Sequence, residues 1–167
     1  MDIRLRPLVP ADWESVARIY RQGIDSGDAT FERTVPEWDE WDAARRPDCR
    51  LMAEDHNGAP LGFAALSPTS KRAVYRGVCE VMVYVAAEAR GRGVGGLLMR
   101  RLVEASEEAG IWTLQAGIFP ENVASIRAHE RVGFRVLGTR ERVAQFHDGR
   151  WRDTVIMERR SASVGLD

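Results

Sequence analysis

Apolar and polar residues alternate in Ile3-Arg-Leu-Arg, which predicts a short strand. The period then lengthens: Trp13, Val16, Ala17, Tyr20 and Ile24 recur at helical spacing behind a turn at Pro10 to Asp12. Gly23 to Asp28, rich in Gly, Asp and Ser, breaks that helix. A second short helix is predicted around Pro36 to Arg45, with Trp38 and Trp41 on it and Pro47 ending it. Arg50 to Glu54 and Pro60 to Leu66 flank Asn57-Gly58, a strong hairpin signal.

After a loop at Pro68 to Lys71, Val78 to Val85 is almost continuously apolar, the pattern of a strand buried on both faces. Gly91 to Ala109 reads as a helix with Val94, Leu98, Leu102, Ala105 and Ala109 on one stripe and Gly110 as its cap. Trp112 to Phe119 is a further strand, and Asn122 to Val132 a short helix closed by Gly133. Phe134 to Phe146 and Trp151 to Arg159 form a closing strand pair around Asp148-Gly149. The order predicts one α/β domain over residues 1–160, followed by a short flexible tail at 161–167.

Composition narrows the function classes. A chain of 167 residues with 44% hydrophobic and 29% charged residues suits one globular domain. The formal net charge of −1 gives no electrostatic reason to expect nucleic acid or an acidic membrane. No signal-peptide pattern or long apolar span occurs, so a cytoplasmic protein is expected. Cys49 and Cys79 lack metal-ligand spacing, though a disulfide between them stays open, and His56, His129 and His147 are scattered. No metal site is expected.

Three features carry candidate chemistry. Arg90-Gly-Arg-Gly-Val-Gly-Gly96 lies between a strand and a helix, where backbone amides can converge on a pyrophosphate. Gly91, Gly93 and Gly96 also satisfy the dinucleotide fingerprint, but the region where its acidic residue belongs, Thr113 to Phe119, has no carboxylate until Glu121, which weakens a Rossmann oxidoreductase reading. Glu80 interrupts an apolar strand: it is either a structural ion pair with Arg72, Arg76 or another arginine, or a carboxylate tuned for proton transfer. His129 shares a helical stripe with Asn122 and Ile126, and can be a core residue or a proton-transfer group. Asn122 is a natural helix N-cap.

Arg90-x-x-Gly93-x-Gly95 after Val81-Met-Val-Tyr-Val resembles the acetyl-CoA motif of the GNAT superfamily of N-acetyltransferases. Asn122-x-x-Ser125-x-x-x-His129 with Gly133-Phe134 resembles its downstream helix motif. Phe31-Glu32, Arg72-x-x-Tyr75-x-x-x-x-Glu80 and Gly149-x-Trp151-x-Asp153 resemble the phosphinothricin and methionine-sulfone acetyltransferase group.

The resemblance implies a single mixed, mostly antiparallel sheet, splayed at its central strands and flanked by helices. It implies direct acetyl transfer from acetyl-CoA to the amine of a small amino-acid-like molecule, with Glu80 as general base and His129 as thiolate-protonating acid or second base. It assigns the cofactor to Met82, Val83, Tyr84, Val85, Arg90, Gly91, Arg92, Gly93, Val94, Gly95, Asn122 and Ser125, the valines at 83 and 85 acting through their backbones. It assigns the substrate to Phe31, Arg72 and Tyr75, and it implies a homodimer. Ala144-Gln-Phe-His147-Asp departs from that group's usual Gly and Lys. Acetylation of protein N-termini is an alternative within the same fold, and a non-catalytic acyl-CoA-binding regulator an alternative outside enzymology.

Overall fold

The computed structural model describes residues 2–167. The strands are β1 (Ile3–Pro7), β2 (Leu51–Asp55), β3 (Pro60–Pro68), β4 (Val78–Val85), β5 (Thr113–Ile118), β6 (Arg135–Gln145) and β7 (Trp151–Arg160). The helices are α1 (Trp13–Asp25), α2 (Trp38–Ala44), α3 (Val94–Glu108) and α4 (Val123–Glu130). All seven strands join one sheet in the order β1-β2-β3-β4-β5-β7-β6. Every pairing is antiparallel except β4 with β5.

Local chemistry accounts for the joints. At the β2–β3 turn Asp55 Oδ1 accepts the Asn57 and Ala59 amides, 2.8 and 2.9 Å away, while Gly58 adopts the left-handed φ of 82°. The apolar stripe of α1 buries Val16, Ile19, Tyr20 and Ile24. That of α3 buries Val94, Leu98 and Leu102. Around them Phe63, Leu66, Met52, Leu114 and Met157 form one continuous core.

The two halves of the sheet meet over a short seam. β4 follows β3 from Cys79 to Val85, but it pairs with β5 only at Val78↔Thr113, Cys79↔Leu114 and Glu80↔Gln115. β5 is paired with β7 along its whole length, Thr113 to Ile118, and beyond Gln115 its other edge parts from β4. The sheet therefore opens into a V. This corrects the expectation of a strand buried on both faces: Val81 to Val85 are half-buried, because the V leaves space beside them.

The tail expected to be flexible is anchored where it begins. Ser161 is buried, with its hydroxyl donating to Glu107 Oε1 at 2.8 Å, and Arg160 Nη1 donates to the Val164 carbonyl at 2.7 Å. Both cysteines are free thiols, and burial pushes the Cys49 thiol up to about 11. No helix among the described residues is long and apolar enough to cross a membrane.

Candidate active site

A cavity of about 990 Å³ opens along the V and reaches the start of α3, the α1–α2 loop, α4 and the β6–β7 ribbon. Hydrogen-bond parity fixes what β4 offers to it. Ala86 N donates to Leu61 O, and Thr69 N donates to Val78 O. In an unbroken antiparallel register, the even-numbered residues of β4 therefore bond to β3. The N–H and C=O groups of Val81, Val83 and Val85 face the other way, into the gap where β5 has departed. An extended guest bearing amides can complete these rungs as an added strand.

Side chains stand at right angles to these bonds and alternate between the two faces of the strand. Tyr84 packs on Tyr20 of α1, with ring centroids 5.0 Å apart, and stacks on Phe63 at 5.6 Å. Glu80 and Met82 share that face. Val85 lies on the other, where its Cγ2 would be 3.4 Å from a Cβ built on Gly95 at the start of α3. The strand thus separates a glycine-turn side from a carboxylate side, and the gap connects them.

The glycine turn has the shape expected of an anion cradle. Gly91 and Gly93 take φ of 74° and 83°, which L side chains rarely adopt, and α3 starts at Val94 with the free amides of its first turn. This is three residues later than predicted, because Gly91 and Gly93 are used to turn the chain. Arg90, Gly91, Gly93, Val94 and Gly95 line the cavity. Arg92 is exposed at the turn, its Nη1 donating to the Glu88 carbonyl at 3.3 Å.

Glu80 occupies the last β4–β5 rung and opens into the cavity. Among the described residues it has no ion-pair partner, so the structural pairing with Arg72 or Arg76 is not formed. Its side chain has access to the cavity, yet the surrounding walls desolvate the carboxyl and hold its pKa above the usual carboxylate range. Arg45 and Arg140 pull the other way.

His129 is buried, its ring edge-on to Phe134 at 5.0 Å, and burial lowers its pKa below the ordinary histidine value. Its Nδ1 lies 2.7 Å from the Ser125 carbonyl, which can only accept, so the proton sits on Nδ1. The neutral ring therefore keeps Nε2 as an unprotonated acceptor. That tautomer suits a group that takes a proton before it gives one. Asn122 caps α4 by accepting from Ser125 N at 3.2 Å, and its amide donates to Asp28 O at 3.2 Å.

The substrate-side expectations divide. Phe31 lines the cavity, edge-on to Phe119 at 4.8 Å. Arg72 and Tyr75 do not line it: they stack on each other, 5.5 Å from guanidinium carbon to ring centroid, on an exposed turn before β4. Within one copy of the chain, neither is a wall of this cavity.

Three contributors escaped the sequence reading. Arg45, at the end of α2, and Arg140, on β6, line the cavity near Glu80. Asp153 accepts the Arg142 amide at 2.7 Å, holding the β6 irregularity between Arg140 and Ala144 and with it that wall of the cavity. The Gly149-x-Trp151-x-Asp153 pattern was the available signal for it. Among the described residues, no cluster of three or more His, Cys, Asp or Glu side chains could hold a metal ion.

Comparisons with known proteins agree with this geometry. The model of the acetyltransferase (GNAT) family matches residues 13–134. An L-methionine sulfoximine/L-methionine sulfone acetyltransferase of Pseudomonas paraeruginosa is 32% identical over 165 residues, covering 95% of this chain and 94% of that protein. A phosphinothricin acetyltransferase of Sinorhizobium meliloti, solved in complex with acetyl-CoA, superposes with a TM-score of 0.88 at 31% identity, over 100% of this chain and 92% of the other. A ribosomal-protein-alanine N-acetyltransferase from Brucella melitensis gives 0.86 at 32% identity, over 95% and 99%.

Proposed function

The chain belongs to the acetyltransferase (GNAT) family and is an acetyl-CoA-dependent N-acetyltransferase, and we propose that its acceptor is a free α-amino acid with a tetrahedral oxo group in its side chain, of the methionine sulfone, methionine sulfoximine or phosphinothricin type. The similarity to methionine sulfone and phosphinothricin acetyltransferases supports the acceptor class, and the observation that carries amine acetylation at this site is the placement of Glu80. An accessible, desolvated carboxyl stands at the last rung of the seam, beside the backbone edge that an amide-bearing guest would complete.

The residues present fit acetyl-CoA. The left-handed glycine turn and first amides of α3 suit a pyrophosphate, and the Val81, Val83 and Val85 backbones suit the pantetheine amides. When bound, acetyl-CoA supplies the activated thioester carbonyl. Glu80 accepts the proton that an ammonium must lose to become a nucleophile. His129, neutral with Nε2 unprotonated, is suited to take the second proton, which the nitrogen sheds once it has bonded to the acetyl carbon, and to pass it to the leaving sulfur. The two faces of β4 hold the partners within one complex, so proximity replaces a covalent enzyme intermediate. No step is assigned to a metal.

A Gly93→Val variant should lose the rise in melting temperature that acetyl-CoA gives the wild type, since a β-branched residue cannot hold φ of 83° without strain. Stabilisation by NADH and not by acetyl-CoA would instead favour dinucleotide binding. The acceptor is tested by thiol release from acetyl-CoA against amino acids and their sulfone, sulfoximine and phosphinate analogues. The similarity to a ribosomal-protein-alanine enzyme makes peptides beginning with alanine the necessary comparison. Peptides turned over much faster than every free amino acid would sink the acceptor assignment.

We also place the protein in the cytoplasm as a homodimer. Val136, Leu137, Val143 and Trp151 are exposed on the β6–β7 ribbon, and β6 is an edge strand that a second copy would cover. Light scattering tests the assembly.

A further inference from the structure

We propose that Arg45 binds the α-carboxylate of the acceptor and thereby selects free amino acids over peptides. The inference rests on the reading of the acceptor as a free α-amino acid.

Arg45 is the half-buried residue that follows α2 and lines the cavity on the Glu80 face of β4. Its guanidinium Nε lies 3.4 Å from Met82 Sδ, and its Cζ is 5.5 Å from the Trp41 ring centroid. Neither the thioether nor the indole carries the negative charge that a guanidinium pairs with. Among the described residues no carboxylate lies within ion-pair distance of it, although the neighbouring Arg46 and Arg50 each have one. Desolvation accordingly dominates its surroundings.

The backbone is built to hold it there. Arg50 Nη2 donates to the Arg45 carbonyl at 3.1 Å, and Arg50 also bonds Asp42 and the Arg46 carbonyl. Arg46 N in turn donates to Leu66 O at 2.9 Å, pinning the segment to β3.

Chemistry fixes the rest. An amine whose proton passes to Glu80 lies beside that carboxylate. In an α-amino acid the carboxylate is attached to the same carbon, so the cation that receives it must also stand near Glu80. Arg45 and Arg140 are the cations whose charge reaches Glu80, and of these Arg140 is exposed on the outer ribbon. Glu80 and Arg45 together form a neutral pair matched to a zwitterion, ammonium to carboxylate and carboxylate to guanidinium. The guanidinium fork can bind both carboxylate oxygens. A peptide places an amide at that position and leaves the desolvated guanidinium without an anion, which costs binding.

The test compares methionine sulfone with the corresponding amine lacking the carboxylate, in the wild type and in Arg45→Met. Wild type should prefer the amino acid. In Arg45→Met the ratio of kcat/KM for amino acid over amine should fall by about 30-fold or more, mostly through KM. The acetyl-CoA thermal shift should match wild type in the variant. If Arg45→Met does not fold, Arg45→Lys keeps the charge without the fork and should give a smaller fall in the same ratio. An unchanged ratio, or KM rising equally for both acceptors, would show a packing role and overturn the proposal. Wild type that acetylates peptides and no free amino acid refutes the acceptor reading itself, and that outcome is visible before any variant is made.

Discussion

Glu80→Gln should lower kcat by about 10²–10⁴-fold while leaving the affinity for acetyl-CoA unchanged, the scale on which general acid–base catalysis operates. Gln keeps the shape and hydrogen-bonding reach of the side chain and removes only its ability to take a proton. In the wild type the rate should fall as pH falls through the Glu80 pKa. Desolvation sets that limb above the ordinary carboxylate range.

Stability gives an independent readout with a definite sign. A carboxyl whose folded pKa is raised adds stability below its unfolded pKa, and that contribution is lost as pH rises through the folded value. At neutral pH the ionised Glu80 therefore weighs against folding, and Glu80→Gln should melt at or above the wild-type temperature. A structural ion pair would predict the reverse. Full turnover in the Gln variant would leave Glu80 without a catalytic role.

Arg152→Ala should produce the largest loss of stability among the site variants. Arg152 is buried on β7, with its guanidinium carbon 3.6 Å from the Phe119 ring centroid and 4.8 Å from that of Phe146. It donates to Gly27 O, to Asp28 Oδ1 at 3.0 Å and to Glu121 Oε2 at 3.3 Å. One side chain thus ties the α1–α2 loop, which carries Phe31, to the loop that leads into α4. Losing a desolvated cation–π contact and its charged hydrogen bonds costs roughly 2–4 kcal/mol. For a domain of this size that is on the order of 5–15 °C in melting temperature. KM for the acceptor should rise more than kcat falls, because the Phe31 wall loosens while Glu80 keeps its place. Arg152→Met, which retains packing on Phe119, should recover part of the stability and little of the KM. Equal kinetics in wild type and both variants would confine Arg152 to the fold.

Elements with a clean period were legible in the sequence. The α1 and α3 stripes and both turn dipeptides fall where expected, because local spacing and turn chemistry determine them. The burial of β4 departs from its sequence pattern for a physical reason: an apolar run signals removal from bulk water, and a strand lining a cleft reads the same as one between two layers. Glu80 was legible as an anomaly in that run. Arg45 and Arg152 were not, since one arginine among many carries no mark of what it faces. Both depend on contacts between segments distant in sequence, as in Arg152 with Asp28. The family resemblance named Arg72 and Tyr75, which this structure places on an outer turn away from the cavity.

The unpaired stretch of β4 also bears on solubility. Valines with unmet backbone bonds are what seeds strand addition between molecules, and proteins ordinarily blunt such an edge with charge, proline or a bulge. Val81 to Val85 carries none of these. Its protection is position: the open edge faces inward, between β5 and the rest of its own sheet, where a lone extended chain can lie but the edge of another folded sheet cannot reach. The same narrowness that admits a slender thioester arm is thus a safeguard against aggregation.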